Sequence, residues 1–102
     1  MESDMLFRSS PRLVERRLRR ASSALREKNG ELRIALEQFE VIEAESDETE
    51  VRAMVSETPL AEHEHREVQR HREVMRLHIE ALRREIVELE REQDRLLDEL
   101  RK

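Results

Sequence analysis

Residues 74–97 read VMRLHIEALRREIVELEREQDRLL, and within them Met75, Leu82, Leu89 and Leu96 stand seven residues apart. Val68 extends that column backward, and Ile79, Ile86, Gln93 and Leu100 form a companion column four residues on. An apolar repeat averaging about 3.5 residues keeps one face of a helix against a neighbour along its whole length. The same pattern occurs earlier in the chain. Leu18, Leu25, Leu32 and Phe39 make one column there, and Ala21, Lys28, Ala35 and Ile42 make the other. Two matched seams in one short chain predict two long helices packed side by side.

Composition points the same way. The chain has 102 residues, 44% of them charged and only 2% aromatic, so it lacks the material for a wide globular core. Long helices with a narrow apolar stripe need bury only one face each. With no Cys, disulfides, thiol catalysis and thiolate metal sites are excluded. No apolar stretch approaches the ~20 residues that span a bilayer. The opening Met1-Glu2-Ser3-Asp4 lacks the basic-then-apolar order of a signal peptide. The expectation is a cytoplasmic protein.

Local signals divide the chain further. Residues 1–10 read as a flexible arm. Ser10-Pro11 is a helix start, since Ser caps free amides and Pro at the first helical position forfeits no bond. The first helix is expected over 11–45 and runs through Asn29-Gly30, because Leu25 and Leu32 stay in phase across that pair. Ser46-Asp47-Glu48-Thr49-Glu50 ends it, with Asp47 and Glu50 at the spacing of a capping box. A connector over 46–58 follows, in which 48–56 forms a short helix or loop. Thr58-Pro59 repeats the cap-then-proline signal, and the second helix is expected over 59–101. The fold class is all-α: a long antiparallel two-helix coiled-coil hairpin forming one domain over 11–102. Counting back from a tip near residue 52 sets Phe39 beside His65, and Met5-Leu6-Phe7 level with Leu96-Leu97.

Charge is segregated beneath a net −5. Residues 11–28 hold seven Arg/Lys and two Glu, whereas residues 37–57 hold eight acids and one Arg. The hairpin should therefore have a basic base and an acidic tip. Around Arg12 to Arg20, phosphate binding is an option. The basic stretch lacks aromatics for base stacking, and Glu85, Glu88, Glu90, Glu92 and Asp94 are expected nearby to neutralise it.

Candidate chemistry is sparse. His63, His65, His71 and His78 crowd one segment, but no two have the i, i+3 or i, i+4 spacing that lets one helix face chelate an ion. Glu62-x-x-His65 does have the spacing used by di-iron carboxylate bundles, and Glu37-x-x-Glu40 offers a second pair. On those four residues and the hairpin shape, the chain resembles the encapsulated ferritins, short two-helix chains whose iron site forms between subunits. That resemblance implies an inter-subunit metal site made by Glu37, Glu40, Glu62 and His65. The acids from Glu43 to Glu50, at a hairpin tip, resemble the coiled-coil arm of Gre-type transcript cleavage factors. That second resemblance implies an arm reaching into RNA polymerase. No Gly-rich phosphate loop and no nucleophile–base order is present.

The reading that uses most of the sequence is a non-enzymatic coiled-coil interaction protein: an adaptor, scaffold or regulator of a larger assembly. It expects protein partners and self-association to a dimer, without cofactor, small-molecule substrate, nucleic acid or membrane. Ile34 and Val41 share a column off the first seam, and Leu60 and Val74 share one off the second. Those four residues are the expected interaction surface.

Overall fold

The computed structural model describes residues 10–102. Helix α1 spans Pro11–Ser56 and helix α2 spans Pro59–Arg101. The two pair as an antiparallel helical hairpin, with no strand among the described residues. The expected pairing of Met5-Leu6-Phe7 falls on residues 1–9, outside the described part.

Both proline starts form as their chemistry requires. The Leu13 amide donates to Ser10 Oγ at 3.2 Å, and the Ala61 amide donates to Thr58 Oγ1 at 3.2 Å. Each cap satisfies one of the amides that a helix start leaves unpaired. α1 passes through Asn29-Gly30 unbroken.

The end of α1 corrects the expectation. The helix does not stop at Glu45, no connector spans 46–58, and 48–56 is no separate helix: α1 continues to Ser56. Only Glu57 and Thr58 connect the helices, and Glu57 takes the left-handed backbone conformation, φ 50°. The cause is the seam itself. Ser46 and Ala53 continue the Leu32–Phe39 column, and Thr49 continues the Ala35–Ile42 column. Ser46 and Thr49 are buried, so they act as seam residues, not as caps. Moving the tip from about residue 52 to the Glu57–Thr58 turn shifts the pairing of the helices by about eleven residues, roughly three turns. Phe39 accordingly lies beneath the Arg72 guanidinium, 5.5 Å from its ring centre, and not beside His65.

The contacts divide the chain into two compact units. One comprises residues 10–29 together with Glu85–Lys102, and the other comprises Gly30–Arg84. In the first, Val14, Ala21, Leu25 and Leu96 are buried. In the second, Ala35, Ile79 and Leu82 form the core, with Leu32, Phe39 and Met75 packed against it. All but Val14 belong to the heptad columns read from the sequence, and Val14 continues the Ala21 column one heptad earlier.

Candidate functional site

Most polar seam residues reach across to the opposite helix. In the Gly30–Arg84 unit, His65 Nδ1 and Thr49 Oγ1 are 2.9 Å apart. Thr49 Oγ1 also donates within α1, to the Glu45 carbonyl at 2.9 Å and the Ser46 carbonyl at 3.2 Å, so the hydroxyl ties the imidazole to the backbone of the opposite helix. Gln69 Nε2 lies 3.4 Å from His65 Nε2 and donates to Ser46 Oγ at 2.9 Å. Arg72 Nε donates to Glu43 at 2.7 Å while its guanidinium covers Phe39. Arg72 therefore reaches across the seam. In the other unit, Gln93 Nε2 donates to Ser22 Oγ at 2.9 Å, and Lys28 Nζ meets Glu85 at 2.9 Å. Among the described residues no buried side-chain polar atom lacks a partner. These bonds set the register, since any slide along the seam breaks several of them together.

Within one chain, the four residues that the ferritin resemblance implies as metal ligands do not come together. Glu37, Glu40 and Glu62 are exposed, and His65 is half-buried in the seam with Thr49 and Gln69. Among the described residues, no three His, Asp or Glu side chains group as an ion would require. Among the described residues, the one carboxyl displaced downward from its ordinary range is Glu73, which the hydrogen bonds from Arg76 hold there against a smaller effect of desolvation. That pair is one turn apart on exposed α2 and supports the helix.

What remains open is apolar surface. Ile34, Val41, Leu60 and Val74 are 52%, 60%, 67% and 61% exposed. Each immediately precedes a seam residue (Ala35, Ile42, Ala61, Met75), so all four occupy one heptad position. In an antiparallel pair, equal heptad positions fall on the same side, because the axis relating the helices is perpendicular to the plane containing both. With Glu43 bonded to Arg72 and Ser46 to Gln69, Val41 and Val74 are level. The four residues therefore belong to one face of the Gly30–Arg84 unit. Val51, Met54 and Val55 are exposed too and extend the outward side of α1. They were not among the expected surface residues, because they fall in the stretch expected to be a connector, a short helix or loop over 48–56. Val55 follows Ile34 and Val41 at multiples of seven, a signal present in the sequence.

Charge matching across the hairpin is largely missing. Arg12, Arg16, Arg17, Arg19, Arg20 and Arg26 are exposed, and none forms an ion pair among the described residues. Of the acids expected to neutralise them, Glu88 pairs with Arg91 and Glu92 with Arg95, both within α2. Glu85 alone crosses, to Lys28.

No helix among the described residues is long and apolar enough to cross a membrane. Comparison of the chain with family models, with curated proteins and with solved structures finds no match.

Proposed function

We propose that this chain is a non-enzymatic interaction protein that works by docking the outward apolar face of its Gly30–Arg84 unit on a protein partner, a second copy of itself foremost. The observation that carries this reading is the exposure of Ile34, Val41, Leu60 and Val74 on one side of the hairpin. Four aliphatic side chains held open to water in a chain this polar have a standing tendency to be covered. A hairpin with a fully bonded seam is a suitable carrier, because it presents that face without rearranging.

Light scattering over a dilution series tests the reading. The wild type should exceed the 12.3 kDa of a single chain, and Val41→Lys/Val74→Lys should return it to that mass with unchanged circular dichroism. Retained association in that variant would remove the face from consideration. A regulatory hairpin of RNA polymerase is the second reading, supported by the exposed acids Glu45, Asp47, Glu48 and Glu50 close before the turn. It predicts that purified polymerase binds the wild type and not a variant with those four changed to Lys.

A further inference from the structure

The Arg-rich part of α1 is more than a charged surface. In the unit formed with Glu85–Lys102, Leu18, Arg19, Ser22, Arg26, Gln93 and Leu97 line an open groove. Its floor is apolar at Leu18 and Leu97, and Gln93 is fixed by its bond to Ser22. Arg19 and Arg26 stand seven residues apart on its rim, about 10 Å along the helix, exposed and without ion pairs among the described residues.

A ligand for such a groove needs apolar side chains for the floor and two acids at the same spacing for the rim. This chain carries that ligand. On the outward side of α1, Val51, Met54 and Val55 are exposed, and Glu40 and Asp47 repeat the seven-residue interval. Glu37, Glu40, Asp47, Glu48 and Glu50 also form no ion pairs among the described residues. Cations beside apolar residues, and acids beside exposed aliphatics, neither ion-paired among the described residues, are thus complementary halves present on every copy. We infer that the groove receives the acidic, aliphatic segment of α1 (residues 40–55) from a second copy, with Arg19 and Arg26 meeting Asp47 and Glu40. The inference rests on the self-association proposed above and names the surface that covers part of the exposed apolar face. Polyphosphate and nucleic acid suit the site less well. They offer nothing to Leu18 and Leu97, and they meet a chain of net −5. Opposite charges at the rim also steer the encounter and disfavour the reversed pose.

Charge exchange tests it. Arg19→Glu/Arg26→Glu and Glu40→Arg/Asp47→Arg are made in the full chain and followed by sedimentation velocity, with Val41→Lys/Val74→Lys alongside. All six sites are exposed, so helicity should not change. Each charge variant alone should associate at least tenfold more weakly than the wild type, and an equimolar mixture of the two should restore association. Added salt should weaken the wild-type complex. If the mixture is no stronger than its components while Val41→Lys/Val74→Lys abolishes association, the groove is excluded and the apolar face stands. If none of the three variants alters association, both surfaces fail. A wild type that sediments as a single chain at every concentration overturns self-association as a whole.

Discussion

Gly30 and Glu57 are described residues whose type is ill-suited to the backbone conformation they hold, and each yields a stability prediction. Gly30 lies inside α1 with an ordinary helical sign of φ, and a methyl group added there meets nothing within 4 Å. Gly costs a helix interior about 0.8–1.0 kcal/mol relative to Ala, through backbone entropy. Gly30→Ala should therefore stabilise the hairpin by about that amount, read as a higher midpoint in urea. Glu57 is the reverse case, a residue with a Cβ held at φ 50° just past a helix end. That position is most often Gly, which adopts the left-handed conformation without the ~1 kcal/mol or more imposed on other residues. Glu57→Gly should raise the urea midpoint, by less than the full penalty because Gly also frees the unfolded chain. Asn29-Gly30 was readable from heptad phase. Glu57 was not, since no turn-forming residue marks it.

For the elements, the caps and the seam decide what forms. Thr58→Ala should cost about 1 kcal/mol by removing the hydroxyl that accepts from the Ala61 amide. Leu82→Ala should cost roughly 2–3 kcal/mol, at the low end for a buried leucine, because a two-helix seam relaxes more easily than a closed core. Leu82 is 2% exposed, whereas the same change at the open Ile34 should be nearly neutral. Both helices, their proline starts and the seam columns were legible in the sequence, because a seven-residue period and a cap-plus-proline pair are local signals. The join was misread for an equally physical reason. Ser, Asp, Glu and Thr over 46–50 have the chemistry of a helix end, and Ser46 and Thr49 do bond locally or across, as such residues should. What made them seam residues was the supply of His65 and Gln69 from α2, a long-range fact. Ala53 in phase with Phe39 was the one sequence clue to it.

At the level of the whole molecule, register links fold to function. The polar bonds of His65, Gln69, Arg72 and Gln93 hold the hairpin at one alignment. That alignment puts Ile34, Val41, Leu60 and Val74 on one side and leaves the arginines between Arg12 and Arg26 without ion pairs to α2. The uncovered face was legible by subtracting the seam columns from the apolar residues. The missing charge matching was not, since it turns partly on the pairing of Glu88 with Arg91 and of Glu92 with Arg95 within α2.

Intramolecular crosslinking tests this register most directly, and the chain has no native Cys to interfere. Arg52 and Glu64 form a 3.3 Å ion pair next to the turn. Arg52→Cys/Glu64→Cys should therefore close rapidly with a short bis-maleimide, within the monomer fraction and without loss of helicity. Phe39→Cys/His65→Cys, the pair brought level by a tip near residue 52, should not close. Efficient crosslinking of the second pair and failure of the first would contradict the account.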